Sequence, residues 1–185
     1  TTPAQAVPAS VLVQIAGNGQ QFAGSSSTFT YHRHLNLLSF APGKTVTDGG
    51  ATIALRADDD LPGLSQRYLA CRIGQLTVPG SIYSSDTIAC EAPALAAGFV
   101  SVDLTVNGVD FTTQGQQLEV VQMLVHRLEP VSGPIFGGTF VRILGSNFLF
   151  EQMHCSFNNT VAGQVGFTDF SEVTITTPRL LSTGW

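Results

Sequence analysis

The sequence predicts an all-β fold in which short strands pack as a sandwich or a barrel. Apolar and polar residues alternate along residues 52–55, 100–106 and 140–143, which is typical of half-buried strands. Asn-Gly pairs at residues 18–19 and 107–108 lie between apolar runs, and such a pair favours a tight turn between two strands. No stretch of a dozen residues carries a helical stripe, so we expect strands to form the whole framework.

A long repeat organises these strands. Residues 49–55 match residues 137–143 at an offset of 88, and residues 18–22 match residues 107–111 at an offset of 89. One proline occupies the same place in each copy, at Pro3, Pro93 and Pro178. A repeat of this length is large enough to be a small domain of its own.

The repeat divides the chain into one whole unit and two halves. We place the back half of a unit at residues 1–33, a complete unit at residues 34–121 and the front half of a third at residues 122–185. Neither boundary carries a long flexible linker, so successive units are expected to abut. Half a sandwich leaves strand edges and an apolar face uncovered. We therefore expect continuation into further repeats of the same chain, or completion by a neighbouring copy.

The composition excludes several classes of function. Of the 185 residues, 43% are apolar and only 11% are charged, against roughly 25% charged in an ordinary soluble domain. The net charge of −5, with Lys44 as the only lysine, argues against binding to nucleic acid, which needs basic side chains to neutralise phosphates. No apolar run approaches the roughly 20 residues that cross a bilayer, so no membrane span is expected in this segment.

A diagnostic pattern begins the third unit, in residues 128–148. Its landmarks are Pro130, Gly133-Pro134, Gly137-Gly138-Thr139 and Gly145-Ser146-Asn147-Phe148. This pattern resembles the opening of an IPT/TIG domain (immunoglobulin-like, plexin, transcription factor). The resemblance implies tandem immunoglobulin-like β-sandwiches of the extracellular type, one complete and two partial. It implies little about activity, because this fold serves receptors, DNA-binding proteins and spacers alike.

The resemblance also gives the cysteines a meaning. Cys71 and Cys90 stand where many extracellular members of the family form a disulfide, and two buried thiols are the alternative. The bond would close a loop of about 20 residues and stabilise the fold by about 3 kcal/mol. Cys155 occupies the place of Cys71 in the third unit, where the sequence supplies no partner. This unpaired cysteine is a buried thiol, a link to another chain, or the partner of a cysteine outside this segment.

Three further groups are candidate sites. Asn158 opens the sequon Asn158-Asn159-Thr160, an acceptor for N-linked glycan in a secreted chain. The run Asp58, Asp59 and Asp60 offers hard oxygen ligands for calcium, although adjacent carboxylates also form ordinary solvated turns. His32 and His34 share one face of an extended segment, as a metal site or as a junction between units.

No motif for catalysis is present in the sequence: there is no Gly-x-Ser-x-Gly elbow and no phosphate-cradling loop. We expect a non-catalytic protein without cofactors, extracellular or at the cell surface, whose tandem repeats assemble head to tail into a filament or a surface stalk. Its partners are copies of itself or further repeats. The alternative is a receptor or glycan-binding adhesion module, which recognises its ligand through the loops at residues 58–64 and 147–153. A Rel-type DNA-binding unit is disfavoured because the arginines are dispersed.

Overall fold

The computed structural model describes residues 7–22, 24, 26–61, 66–150, 153–157, 160–161 and 165–179. In this described part the chain forms sixteen β-strands and a single 3₁₀ helix, Gln66–Tyr68. The expected all-β class is therefore confirmed. No helix among these residues is long and apolar enough to cross a membrane.

The chain begins with a two-stranded hairpin. Strands β1 (Ala9–Val13) and β2 (Ser27–Tyr31) pair antiparallel, with Val11 opposite Phe29. The rings of Phe29 and Tyr31 meet edge to face with their centroids 4.9 Å apart. Most of the hairpin is exposed.

The middle unit is a complete sandwich of eight strands. The strands are β3 (Leu37–Ala41), β4 (Lys44–Val46), β5 (Thr52–Ala57), β6 (Ala70–Ile73), β7 (Leu76–Ile82), β8 (Thr87–Glu91), β9 (Gly98–Thr105) and β10 (Gln117–Val121). They are hydrogen-bonded in the order β3-β5-β8-β7-β6-β9-β10-β4. Strand β7 joins the two layers, because its first half pairs with β6 and its second half, from Gly80, pairs with β8. Strand β4 closes the far edge by running parallel to β10.

The two layers of the middle unit enclose one apolar core. Strands β5 and β8 contribute Ile53, Leu55 and Ile88, and strands β6 and β9 contribute Ile73 and Leu104, all of them buried. The alternation seen in the sequence explains this arrangement, because successive strand residues point to opposite faces. Within the same core a disulfide connects the two cysteines of the unit, which lie on strands of different layers.

The third unit contains one full layer and a short hairpin. Strands β11 (Leu124–Glu129), β12 (Phe140–Ser146), β15 (Gly166–Asp169) and β16 (Glu172–Thr176) form a sheet in the order β11-β12-β16-β15. Strands β13 (Ser156–Phe157) and β14 (Thr160–Val161) pair only with each other. A smaller core of buried residues backs the sheet, namely Val141, Ile143, Phe148, Val173 and Ile175.

The third unit repeats the first layer of the middle unit strand for strand. Ile53 pairs with Cys90 between β5 and β8, and Val141 pairs with Ile175 at the same place between β12 and β16. Strands β11, β12 and β16 therefore correspond to β3, β5 and β8. Within the described residues of the third unit, no strand corresponds to β9 or β10.

The Asn-Gly turns differ from the simple hairpin turns that the sequence predicts. Only the glycine of each pair, Gly19 or Gly108, has a positive φ. The amide oxygen of Asn107 accepts hydrogen bonds from the backbone N–H groups of Val109 and Asp110, so its own side chain makes the turn. The turn reverses the chain directly after β9, but β10 begins only at residue 117.

Candidate assembly site

The β1–β2 hairpin is a second copy of the β9–β10 hairpin. Isolated bridges join Ala16 to Phe22 and, 89 residues later, Thr105 to Phe111. The amide oxygen of Asn18 accepts hydrogen bonds from the backbone of Gln20 and Gln21, as that of Asn107 does in the middle unit. The pairing register is also the same, since Leu12 opposite Thr28 matches Ser101 opposite Gln117. The correspondence therefore extends along the whole hairpin.

The inner face of this hairpin is uncovered within the described structure. Three of its apolar residues are exposed, while their counterparts in the middle unit belong to the core. The pairs are Val13 (48% exposed) and Val102 (1%), Ile15 (78%) and Leu104 (1%), and Phe29 (41%) and Leu118 (0%). The opposite face is mostly polar, with Ser10 hydrogen-bonded to Thr30 at 3.0 Å. The hairpin thus has one apolar face and one solvent face.

The third unit has an uncovered region at the matching place. A cleft of about 200 Å³ lies between residues 130–134 and Val141, with Leu128 and Phe157 also in its lining. Residues 132–134 correspond to Lys44–Val46, the strand that pairs with β10 in the complete unit. The cleft therefore lies where a strand of the β10 type runs in a finished sandwich.

The junction between the middle and third units is short and bonded. Strand β10 ends at Val121, and β11 begins three residues later at Leu124. The side-chain amide of Asn147 donates a hydrogen bond to the carbonyl of Gln122 at 2.9 Å. Met123 packs against the core of the third unit. Both connecting residues are therefore fixed to the third unit.

The junction before the middle unit is held by the acidic run that the sequence offered as a calcium site. The carboxylate of Asp58 accepts hydrogen bonds from the backbone N–H of Asn36 at 2.8 Å and from its side chain at 2.6 Å. These bonds, the backbone one first, lower the pKa of Asp58 below its usual value. Asp59 forms an ion pair with Arg33 at 3.8 Å. In this arrangement two of the three carboxylates are engaged with the residues that connect the hairpin to the middle unit.

Comparison with known proteins places the chain in a family. The IPT/TIG domain model matches residues 36–120 and 123–185. The chain belongs to the IPT/TIG domain family. Residues 7–31 lie outside both matched ranges, so the assignment of the hairpin to the same repeat rests on its register and turn.

Individual relatives agree with this assignment. Fibrocystin of Canis lupus familiaris is 26% identical over 142 residues, which cover 71% of this chain but only 3% of fibrocystin. Two structures of the full plexin A4 extracellular region superpose with TM-scores of 0.59 and 0.61, at 20% and 14% identity. They match 78% and 98% of this chain, which spans 15% and 16% of the plexin chains. At this identity the plexin structures establish a shared fold.

The cysteines of the two matched IPT/TIG units differ in state. Cys71 and Cys90 form a disulfide with a Cα–Cα distance of 6.3 Å. Cys155 is free and half-buried, and its burial raises the pKa of the thiol. Asn158, the predicted glycosylation site, lies outside the described residues. So do parts of both loops that the receptor alternative uses for recognition.

The histidine pair is not part of a metal-binding cluster. His32 contacts the carbonyl of Arg33 through Nδ1 at 2.7 Å. No group of three or more His, Cys, Asp or Glu side chains within the described ranges is arranged to hold a metal ion. The histidines therefore lie at a junction between repeats, which was the second of the two readings.

A carboxylate in the middle unit makes stability dependent on pH. Hydrogen bonds from Arg56, Thr87 and Ser84 lower the pKa of Asp86 from 3.8 to about 2. This stabilisation is complete above the ordinary pKa and is lost as pH falls through about 2. We expect Asp86→Asn to lower the urea midpoint at pH 7, and the difference from the wild type to vanish at pH 2. Asp48→Asn, which removes the same charge from an exposed turn, is the control.

Proposed function

We propose that this chain is a non-catalytic structural segment of an extracellular protein. Its IPT/TIG units follow one another along a stalk or a filament, and its partial units are completed by β-strands from an adjoining repeat. The observation that carries the proposal is the construction of the junctions. Each connector is short and is bonded to the unit beside it, through Asn147 in one case and Asp58 in the other. A receptor whose units reorient would need longer, solvated connectors.

The remaining surface supports a structural role. Apart from Asp86, the charged groups with lowered or raised pKa are surface partners of one another or of turns, such as Arg142 with Glu172. Arg142 bonds to Glu172 through two nitrogens, at 2.8 and 2.7 Å, which fixes neighbouring strands of an exposed sheet. These are the contacts of a scaffold, since perturbed groups at a catalytic site converge on a cleft.

The proposal is tested by loosening one junction. Inserting Gly-Ser-Gly-Ser between Val121 and Gln122 separates the two units without changing either core. We expect small-angle X-ray scattering to show a single narrow distribution of dimensions for the wild type and a broad one for the insertion. The same four residues inserted after Gly24, where a Cβ would meet no atom within 4 Å, are the control for added length. Equally broad distributions for the wild type and the junction variant would overturn the stalk.

A point substitution tests the same bond more finely. Asn147 has a φ of 60°, a conformation that glycine adopts without strain. Asn147→Gly therefore removes the hydrogen bond to Gln122 while it preserves the backbone. We expect faster hydrogen exchange at residues 122–124 and unchanged exchange in strand β16.

A further inference from the structure

We infer that the open face of the third unit binds the β1–β2 hairpin of a second copy of this chain, in the register that β9 and β10 occupy in the middle unit. This inference rests on the proposed function and names the partner of the partial units. A head-to-tail contact of this kind uses two different surfaces of each copy, and it propagates into a filament when it does not close into a ring. Adding strands to an unfinished sheet is an established mode of association between chains.

The middle unit supplies the template for the register. In that unit Cys71 lies opposite Leu104, and Thr45 lies opposite Val120. Carried over to the half-units, Cys155 lies opposite Ile15, and Gly133 lies opposite Tyr31. The described residues also fit end to end without overlap. Arg179 corresponds to Ala94, and the hairpin resumes at Val7, which corresponds to Ala96.

Side-chain size is complementary across the proposed contact. The hairpin carries Phe29 and Tyr31 where the middle unit has Leu118 and Val120, so its inner face is bulkier. The acceptor has Gly133 in place of Thr45, and Gly133 lines the open cleft. Larger donor residues therefore meet a smaller acceptor, as the close packing of a protein interior requires.

Charge is complementary as well, through two ion pairs that are lost on both sides. In the middle unit two salt bridges join the β9–β10 hairpin to the rest of the sandwich, Lys44 to Glu119 at 2.7 Å and Arg72 to Asp103 at 2.8 Å. The counterparts in the third unit are the uncharged Ser132 and Ser156. Those in the hairpin are the uncharged Thr30 and Gln14. The contact would therefore bury no unpaired charge, which is a severe cost at an interface.

This pairing also discriminates between hairpins. Docked on the third unit, a β9–β10 hairpin would place Asp103, which is 5% exposed in its own unit, opposite Ser156. The carboxylate would lose its arginine partner on burial, and that is destabilising. The β1–β2 hairpin carries Gln14 at this position and avoids the loss. The third unit is thus matched to this hairpin rather than to any hairpin of the repeat.

The register is tested by a single cysteine in the full-length chain. Ile15→Cys would face the free Cys155 of the next copy, because facing residues of antiparallel strands have Cα atoms about 4.5–5.5 Å apart, within the range of a disulfide. We expect mild oxidation to give a ladder of trimers and higher species on a non-reducing gel. The double variant Ile15→Cys/Cys155→Ser retains one free thiol and should stop at dimers. Leu12→Cys, on the solvent face, should also give no ladder.

Reversible association gives an independent readout. Phe29→Asp places a charge on the inner face, and Thr28→Asp places the same charge on the outer face of the same strand. In sedimentation at micromolar protein we expect Thr28→Asp to associate like the wild type. Phe29→Asp should raise the dissociation constant at least about a hundredfold, since it buries an unpaired carboxylate.

Two outcomes would overturn the inference. One is a wild type that remains monomeric while Ile15→Cys gives no ladder. The other is a bond between Ile15→Cys and Cys155 within one molecule, which would show that the hairpin folds back onto its own chain. Neither outcome touches the stalk, because the junction measurements report on the connection between successive units whether or not the third unit has a partner.

Discussion

Gly49→Ala is expected to destabilise the complete unit by about 3–5 kcal/mol, or to prevent it from folding. Gly49 has a φ of 75°, and a Cβ there would lie 2.6 Å from the carbonyl oxygen of Ala92 and 2.7 Å from the backbone of Pro93. The carbonyl of Ala92 is itself held, because it accepts a hydrogen bond from the N–H of Gly50 at 2.8 Å. The backbone therefore cannot withdraw without breaking the link between the turn and the end of β8.

The adjacent glycine is the matched control. Gly50 has a φ of 83°, but a Cβ there would meet nothing within 4 Å. Gly50→Ala carries only the cost of the left-handed backbone, about 1–2 kcal/mol. Urea unfolding followed by circular dichroism compares the two variants. If both lose the same stability, the close approach to Ala92 contributes nothing and the explanation is wrong.

The same contact explains why the proline landmark and the Gly-Gly pair recur together. In the third unit a Cβ on Gly137 would lie 2.6 Å from Pro178, and the N–H of Gly138 donates to the carbonyl of Thr177 at 2.9 Å. The sequence shows glycines and prolines about 40 residues apart at fixed places in the repeat. It does not show that they touch, because nothing in the spacing of a turn and a strand end reveals which strands are neighbours.

The sequence predicts the framework well where the pattern is local. Alternation along residues 52–55 and 140–143 places strands β5 and β12 correctly, because burial on one face of a sheet imposes a period of two. The IPT/TIG resemblance, drawn from residues 128–148, is confirmed by the family match. Strand β7 is a different matter. Its role in both layers depends on Gly80, where a Cβ would lie 2.7 Å from Ile88, and that contact is set by tertiary packing.

The candidate site is less accessible from sequence. Repeat phase alone indicates that the hairpin and the third unit are complementary halves. The register between them depends on pairings such as Cys71 with Leu104, which no single sequence encodes visibly. The acidic run was also ambiguous, because three adjacent carboxylates are compatible with calcium or with a turn. Only the position of Asn36 against Asp58 identifies the run as part of a junction.

Removing the disulfide is expected to cost the middle unit about 3 kcal/mol. Cys71 and Cys90 are 19 residues apart in sequence, and a loop of that length restricts the unfolded chain by about this amount. Both sulfurs lie in the core, so Cys71→Ala/Cys90→Ala also leaves small cavities, which add to the loss. Calorimetry should show the transition of the middle unit at lower temperature and that of the third unit unchanged.

The third unit offers the reverse experiment. Cys155 stands in the place of Cys71, and Ile175, which is 1% exposed, stands in the place of Cys90. Ile175→Cys should therefore form a new disulfide with Cys155, since the pairing of Ile175 with Val141 repeats that of Cys90 with Ile53. The gain of about 3 kcal/mol from the closed loop is offset by about 2 kcal/mol of lost isoleucine burial. We expect a small net rise in the melting temperature of the third unit under oxidising conditions, and a clear fall after reduction. Ile175→Val, which trims the side chain without adding a thiol, should melt at the same temperature in both conditions. If Ile175→Cys is equally indifferent to reduction, the two half-cores are not superimposable, and the register carried over from the middle unit loses its foundation.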